Sequence, residues 1–309
     1  MSTRNLADEA LTRAVLASFE GARSARFREL ADSLVRHLHA FASEVGLTEE
    51  EWFQGIDFLT RTGHITDERR QEFILLSDVL GLSMLVVGIN NRRPPQATES
   101  TVFGPFFVEG SPGFSNGDDL ANGAPGEPCL MQGRVLNLDG EPVPGAHLEV
   151  WMADKDGFYD VQYDDLDEPR GRGHLSADDR GRWWFWSVKP EAYPIPADGP
   201  VGGLLDAAGR HPMRPAHVHF LVRAPGYQRL ITHVFVDGDR YLDSDAVFGV
   251  RSNLITAFER REAGTAPDGR EMPTPYWVMA YDIVLAPGEG GDDRSRPAEQ
   301  VETSDRGGT

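Results

Sequence analysis

The apolar residues of this chain change their period once, around Pro94-Pro95, and that change restricts what each part can become. From Leu6 to about Asn90 they recur at helical spacing, as in Phe27, Leu30, Leu34, Leu38 and Phe41, which puts them on one stripe of a 3.6-residue helix. The spacing predicts three or four amphipathic helices. Thr48 and Glu51 form a capping box for the helix bearing Trp52, Ile56 and Leu59, and a further helix is expected over 67–87. The two prolines end this region because proline cannot donate to a helix and disfavours helical backbone before it. From about Gly133 the pattern becomes short extended runs at 146–151, 183–188, 217–223 and 231–236, punctuated by Asp139-Gly140, Asp156-Gly157, Pro225-Gly226 and Asp237-Gly238. A last strand is expected over 276–285. The fold class is therefore α+β: an all-helical N-terminal domain, 1–98, then an antiparallel β-sandwich, 99–286. Residues 287–309 are polar and Gly-rich, and are expected to be disordered.

Composition narrows the function classes. A formal net charge of -19 repels phosphate backbones, and there is no Lys/Arg cluster beyond short pieces such as Arg92-Arg93, so no nucleic-acid partner is expected. A single cysteine, Cys129, excludes an intrachain disulfide and the thiolate-rich zinc and iron-sulfur sites. The segment after Met1-Ser2-Thr3-Arg4-Asn5 is amphipathic rather than a signal core, and no apolar run reaches the roughly 20 residues of a membrane span. The expected location is the cytoplasm.

Arg214-Pro215-Ala216-His217-Val218-His219-Phe220 carries the chemistry. Side chains on a strand repeat every two residues, so His217 and His219 share a face while Val218 and Phe220 turn to the core. His37-Leu38-His39 has the same spacing in a helical pattern, where residues two apart diverge by about 200°, and cannot chelate. With no His-Glu-x-x-His helix in the chain, the other donors to a metal at His217 and His219 must be oxygens. Tyr159 and Tyr193 sit at strand-loop boundaries. A phenol with an ordinary pKa of about 10 is held ionised near neutral pH only by a highly charged cation, for which Fe(III) suits better than Zn(II).

Gly157-x-Tyr159, Tyr193-Pro194-x-Pro196 and Arg214-Pro215-Ala216-His217-x-His219 together resemble, in order and spacing, the intradiol ring-cleavage dioxygenases. The resemblance extends upstream to Thr101-Val102-Phe103-Gly104-Pro105-Phe106-Phe107 and downstream to Asp243-Ser244-Asp245-Ala246-Val247-Phe248-Gly249-Val250. Within the family, the segments around Asp156-Gly157-Phe158-Tyr159 and Ile231-Thr232-His233-Val234-Phe235 look most like hydroxyquinol 1,2-dioxygenases, with catechol and chlorocatechol 1,2-dioxygenases as the alternative. The resemblance implies one non-haem Fe(III) per subunit held by Tyr159, Tyr193, His217 and His219, and cleavage of a catecholic ring by O2 between its two hydroxyls. It implies that Tyr193 dissociates to take a substrate proton, that Arg214 stabilises charge on the ring, and that His233 tunes the oxygen chemistry or positions substrate. Leu75, Asp78, Val102, Phe103, Gly104, Pro105, Phe106, Ile195, Pro196 and Val247 are the implied pocket walls, with Asp78 as acceptor for a third ring hydroxyl. Family members dimerise through the N-terminal helices and hold phospholipid between subunits, so a homodimer is expected.

Other readings stand beside these. Arg214 could pair with a carboxylate such as Asp206, Asp78 could be a solvated helix-face acid, and His233 a satisfied core histidine. A β-sandwich binding module with unmetallated histidines is the alternative from another class.

Overall fold

The computed structural model describes residues 8–67, 70–163 and 165–288, and the expected disordered tail lies, beyond Gly288, outside the described residues. The chain divides into two compact units, 1–64 and 65–309. The first holds α1 (Asp8–Ser18), α2 (Ala25–Val45) and α3 (Glu49–Ile65, whose last residue reaches the boundary). The expected capping box is present: the Thr48 backbone N–H donates to Glu51 Oε2 at 2.9 Å and the Glu51 N–H to Thr48 Oγ1 at 3.2 Å. The α2 stripe of Phe27, Leu30, Leu34, Leu38 and Phe41 is exposed. His37 and His39 both lie on α2, and His39 Nδ1 is hydrogen-bonded to Thr12 Oγ1.

The second unit opens with α4 (Glu72–Val79) and α5 (Leu82–Asn90). The single helix expected over 67–87 is in fact broken here, with a 79° bend. Gly81, at φ +73°, supplies the left-handed residue that lets the chain turn, and Leu82 restarts the helix. Among the described residues no single helix is long and apolar enough to cross a membrane.

The strands follow in chain order: β1 (Pro128–Leu136), β2 (His147–Met152), β3 (Arg172–Ser176), β4 (Arg182–Val188), β5 (Tyr193–Pro194), then α6 (Pro200–Ala207), β6 (Met213–Arg214), β7 (His217–Arg223), β8 (Leu230–Val236), β9 (Ile255–Thr256), β10 (Phe258–Arg261), β11 (Gly264–Thr265), β12 (Glu271–Met272), β13 (Tyr276–Ala280) and β14 (Ile283–Val284). One five-stranded sheet runs β3-β2-β7-β8-β9; the other runs β10-β13-β1-β14, with β4 also on β1. Most pairings are antiparallel as expected, but β1 pairs in parallel with β13 and β14, and β8 with β9. The run expected as one last strand is thus two short ones, both set beside β1.

The sandwich core takes alternate residues from both sheets. Met131, Phe185, Leu148, Val150, Val218, Phe220, Val222 and Val234 are all in one buried cluster. Their in-between neighbours Trp151, His219 and His233 therefore point to the opposite face of the β3-β2-β7-β8-β9 sheet. There they form a cross-strand row with Arg172: Arg172 pairs with Trp151, Trp151 with His219, and His219 with His233. On this face a second buried cluster joins Trp151 and Leu221 of the sheet to Tyr159 and Tyr193, with Phe103, Phe106 and Phe107 packed against it. The candidate site is built on this face of the sheet, outside the sandwich core.

Candidate active site

Four donors converge on this outer face. Tyr159 Oη lies 2.9 Å from His219 Nε2, 3.5 Å from His217 Nε2 and 3.2 Å from Tyr193 Oη, and the two Nε2 atoms are 3.2 Å apart. All four residues are buried. Metal bonds of about 2.0–2.2 Å at angles of about 90–110° separate neighbouring donors by about 3.0–3.5 Å, so these spacings suit a single cation. His217 Nδ1 is hydrogen-bonded to the Pro215 carbonyl at 2.7 Å, which places the proton on Nδ1 and makes Nε2 the nitrogen that carries the lone pair. Burial, reinforced by Arg214, depresses the His217 pKa to about 3, and burial likewise holds His219 and His233 well below the ordinary value. Neutral imidazoles are the form that binds a metal. Burial pushes the Tyr159 phenol well above its usual 10, and the neighbouring Tyr193 adds to this. Only a cation of high charge can then deprotonate it, and two phenolates would offset most of that charge.

Local sequence explains the convergence. Gly157 (φ +81°) turns the chain back after β2, and a Cβ there would meet Tyr193 Cβ at 2.7 Å. Gly104 (φ +78°) leaves room for His219, whose Cε1 would lie 2.9 Å from an added Cβ. Phe106 stacks on Tyr159 at 4.5 Å between centroids, and Trp151 stacks on His219 at 4.6 Å. Tyr193 and Arg214 are themselves partners across the β5–β6 ladder.

Arg214 is buried with its Nη1 3.2 Å from His217 Nε2 and its Nη2 3.5 Å from His233 Nδ1. Its ion-pair partner is Asp245, Nε to Oδ1 at 3.2 Å, and not Asp206, which is exposed on α6. Burial would lower the arginine's pKa, but Asp245 together with the two tyrosines raises it above the ordinary value, so the guanidinium is charged. Conversely, burial would raise the Asp245 carboxyl, yet Arg214 brings it below the ordinary value. The Asp245 carboxylate also accepts the Val247 and Gly249 backbone N–H groups. His233 stands beside the donors, with a nitrogen within 4.8 Å of those of His217 and His219.

A cavity of about 720 Å³ opens onto Tyr193 and Arg214. Of the residues expected as walls, Leu75, Asp78, Val102, Gly104, Pro105, Phe106, Ile195, Pro196 and Val247 line it. Phe103 does not: its ring packs into the aromatic layer, 4.6 Å from Phe107 and 5.9 Å from Trp151. Asp78 is buried rather than solvated, and burial raises its pKa against a hydrogen bond from Ser83. Tyr163 lines the outer cavity and donates to Asp154 at 2.6 Å. His211 contacts Ser244, away from the donors.

Two further features escaped the sequence reading. Asp245 lies inside a quoted motif, yet nothing in its spacing names Arg214 as partner. Arg172 donates to Asp160 and, at 2.7 Å, to the Phe106 carbonyl, tying the segment after Tyr159 to a cavity wall. No local pattern signals a contact between residues 66 positions apart.

Comparison with known proteins agrees with this architecture. A family model described as Dioxygenase matches residues 102–287, and one described as Catechol dioxygenase N terminus matches 24–98. A 6-chlorohydroxyquinol 1,2-dioxygenase from Cupriavidus pinatubonensis is 59% identical over 90% of this chain and 96% of its own length. A hydroxyquinol 1,2-dioxygenase from Nocardioides simplex is 55% identical over 91% and 96%. The crystal structure of a hydroxyquinol 1,2-dioxygenase from Pseudomonas putida superposes with a TM-score of 0.85 at 48% identity, covering 90% of this chain and 98% of that one. With both regions matched in order and relatives more than half identical over nine-tenths of its length, this chain belongs to the intradiol ring-cleavage dioxygenases, a family of enzymes that depend on non-haem iron.

Proposed function

We propose that this protein cleaves hydroxyquinol (1,2,4-trihydroxybenzene) with O2 between its adjacent hydroxyls, giving 3-hydroxy-cis,cis-muconate, a form of maleylacetate. The observation that carries the substrate assignment is Asp78, a buried carboxyl on the wall of a cavity otherwise lined here by Leu75, Val102, Ile195 and Val247. The carboxyl takes a hydrogen bond from Ser83 and has room to accept another, and a further hydrogen bond contributes about 0.5–1.5 kcal/mol, so a ring that brings a third hydroxyl is favoured over one that does not. The names and high identity of the hydroxyquinol-cleaving relatives support the same substrate.

In this reading Tyr159, Tyr193, His217 and His219 hold one Fe(III) per subunit. Bound iron supplies the Lewis acidity that ionises the phenols and the redox partnership between an aromatic diol and O2. Tyr193, the member of the four that lines the cavity, takes a hydroxyl proton from the arriving substrate at its Oη, while Tyr159, held under Phe106, stays in place. Arg214 faces the cavity with its charge paired to Asp245, and stabilises negative charge on the ring. His233 positions substrate or tunes the oxygen step from beside Arg214. The helical region 1–98 serves a homodimer and the region 99–286 the chemistry, an organisation that the limits of the two family models favour. The exposed apolar stripe of α2 suits both a subunit contact and phospholipid within it. Cytoplasmic location completes the proposal.

Oxygen uptake with hydroxyquinol and catechol tests the assignment. We expect kcat/KM for hydroxyquinol to be at least about tenfold higher; a preference for catechol or chlorocatechols overturns the substrate. A purified, iron-loaded protein that is colourless overturns the phenolate ligands, because phenolate-to-Fe(III) charge transfer absorbs visible light.

A further inference from the structure

Arg210 follows α6 and does not line the cavity, yet its guanidinium joins two segments that do. Nη1 donates to the Val79 carbonyl at 2.7 Å and Nη2 to the Ala246 carbonyl at 2.9 Å. Val79 is the neighbour of Asp78 at the C-terminal end of α4; Ala246 is the neighbour of Val247. Carbonyls in the last turn of a helix lack helical partners and carry the negative end of its dipole, so a cation at Val79 gains twice. The arginine is itself fixed, since its backbone N–H donates to Leu205 at the end of α6 at 2.8 Å.

Phe248 closes the arrangement with its ring 4.8 Å from the Arg210 guanidinium carbon. It holds φ at +59°, a left-handed backbone that is uncommon for an aromatic residue and persists only where the surroundings impose it. Below it lies Gly81, the break between α4 and α5, where an added Cβ would come within 3.5 Å of the Phe248 ring. Both walls are therefore referred to one side chain.

We propose that Arg210 is a specificity-determining residue that acts by position: it sets the separation between the Asp78 carboxyl and the Val247 side chain, and so the fit of the third ring hydroxyl. The inference rests on the role given to Asp78 above. A hydrogen bond fails when its partners are moved about 1 Å from contact distance, so the discrimination depends on the spacing of these walls. Catechol has no third hydroxyl, and its turnover does not depend on that bond.

The test measures kcat and KM for hydroxyquinol and catechol with Arg210→Met, Arg210→Lys and, as reference, Asp78→Ala. We expect Arg210→Met to lower the hydroxyquinol-to-catechol ratio of kcat/KM about tenfold, mainly through KM for hydroxyquinol, with kcat for catechol within about twofold of the parent. Arg210→Lys, which keeps a cation and one donor contact, gives a smaller loss and serves alone if the methionine variant does not fold. A general loss of stability lowers both substrates together and leaves the ratio fixed. A parental ratio in the folded Arg210 variants, with a collapsed ratio in Asp78→Ala, overturns this inference alone. A parental ratio in Asp78→Ala overturns the role of Asp78 and the inference with it.

Discussion

Arg172 and Asp160 form an ion pair whose side chains are only 3% and 7% exposed, with Nη2 2.6 Å from Oδ1. The same nitrogen donates to the Phe106 carbonyl, so one guanidinium holds the residue after Tyr159 and the ring that stacks on Tyr159. Arg172 also ends the cross-strand row that continues through Trp151 to His219. A buried pair contributes little net stability, because desolvation offsets attraction, but breaking it strands a charge. Its use here is to locate a phenol.

Arg172→Met leaves Asp160 buried without its cation. The expected loss of stability is about 3–5 kcal/mol, measured by urea unfolding of the iron-free protein. The visible band of the iron-loaded variant should also shift, since the Tyr159 oxygen is no longer fixed. An unfolding free energy within about 1 kcal/mol of the parent refutes the role of the pair.

Tyr159→Phe and His219→Ala each remove one of the donors that lie 2.9 Å apart. Each is expected to bleach the visible absorption and abolish turnover. Measured iron content and spectrum check this directly, and a variant that keeps both colour and activity removes its residue from the ligand set.

Asp245→Asn keeps the shape of the side chain but removes the charge that pairs with Arg214 and orients it. We expect retained iron and a fall in kcat of about 10²–10³-fold, the size seen when one preorganised charge-stabilising group is lost. Arg214→Lys should behave similarly, because an ammonium cannot reproduce a two-point guanidinium contact. Unchanged kcat in both ends the argument for charge stabilisation by Arg214.

Asp78 gives a pH signature. Burial raises its folded pKa above the ordinary 3.8, so the folded state binds the proton more tightly and stability falls as pH rises above that value. Asp78→Asn escapes this loss. The Tm of the variant should match the parent near about pH 3 and exceed it increasingly as pH rises through the window above 3.8. A constant Tm difference across that range would mean that the carboxyl is not desolvated.

Much of this site was legible because strand periodicity is a local rule. His217 and His219 had to share a face, and Val218 and Phe220 had to turn inward, whatever the partners of β7. The segment 102–107 is not a strand, so no such rule separates Phe103, which packs on Phe107 and Trp151, from its cavity-lining neighbours. The expected turn glycines at 140, 157, 226 and 238 all adopt positive φ, for the equally local reason that short connections need it. The helix expected over 67–87 failed at Gly81 because helical periodicity continues across a bend that packing against Phe248 makes favourable.

The sequence by itself determined the change from helices to strands, the face of β7 that meets the core, and the residue types able to hold a trivalent cation, but not the break between α4 and α5 or the helix α6 set among the strands. Only the tertiary structure decided that Arg214 pairs with Asp245 rather than Asp206, that Arg172 reaches both Asp160 and Phe106, and that Arg210 joins α4 to the Val247 loop. Those partners lie 12 to 131 positions apart, with the Val79 contact the longest. Periodicity reports which way a side chain points over a few residues, whereas the choice among distant partners follows from how two sheets and three helices pack, which no short window of sequence contains.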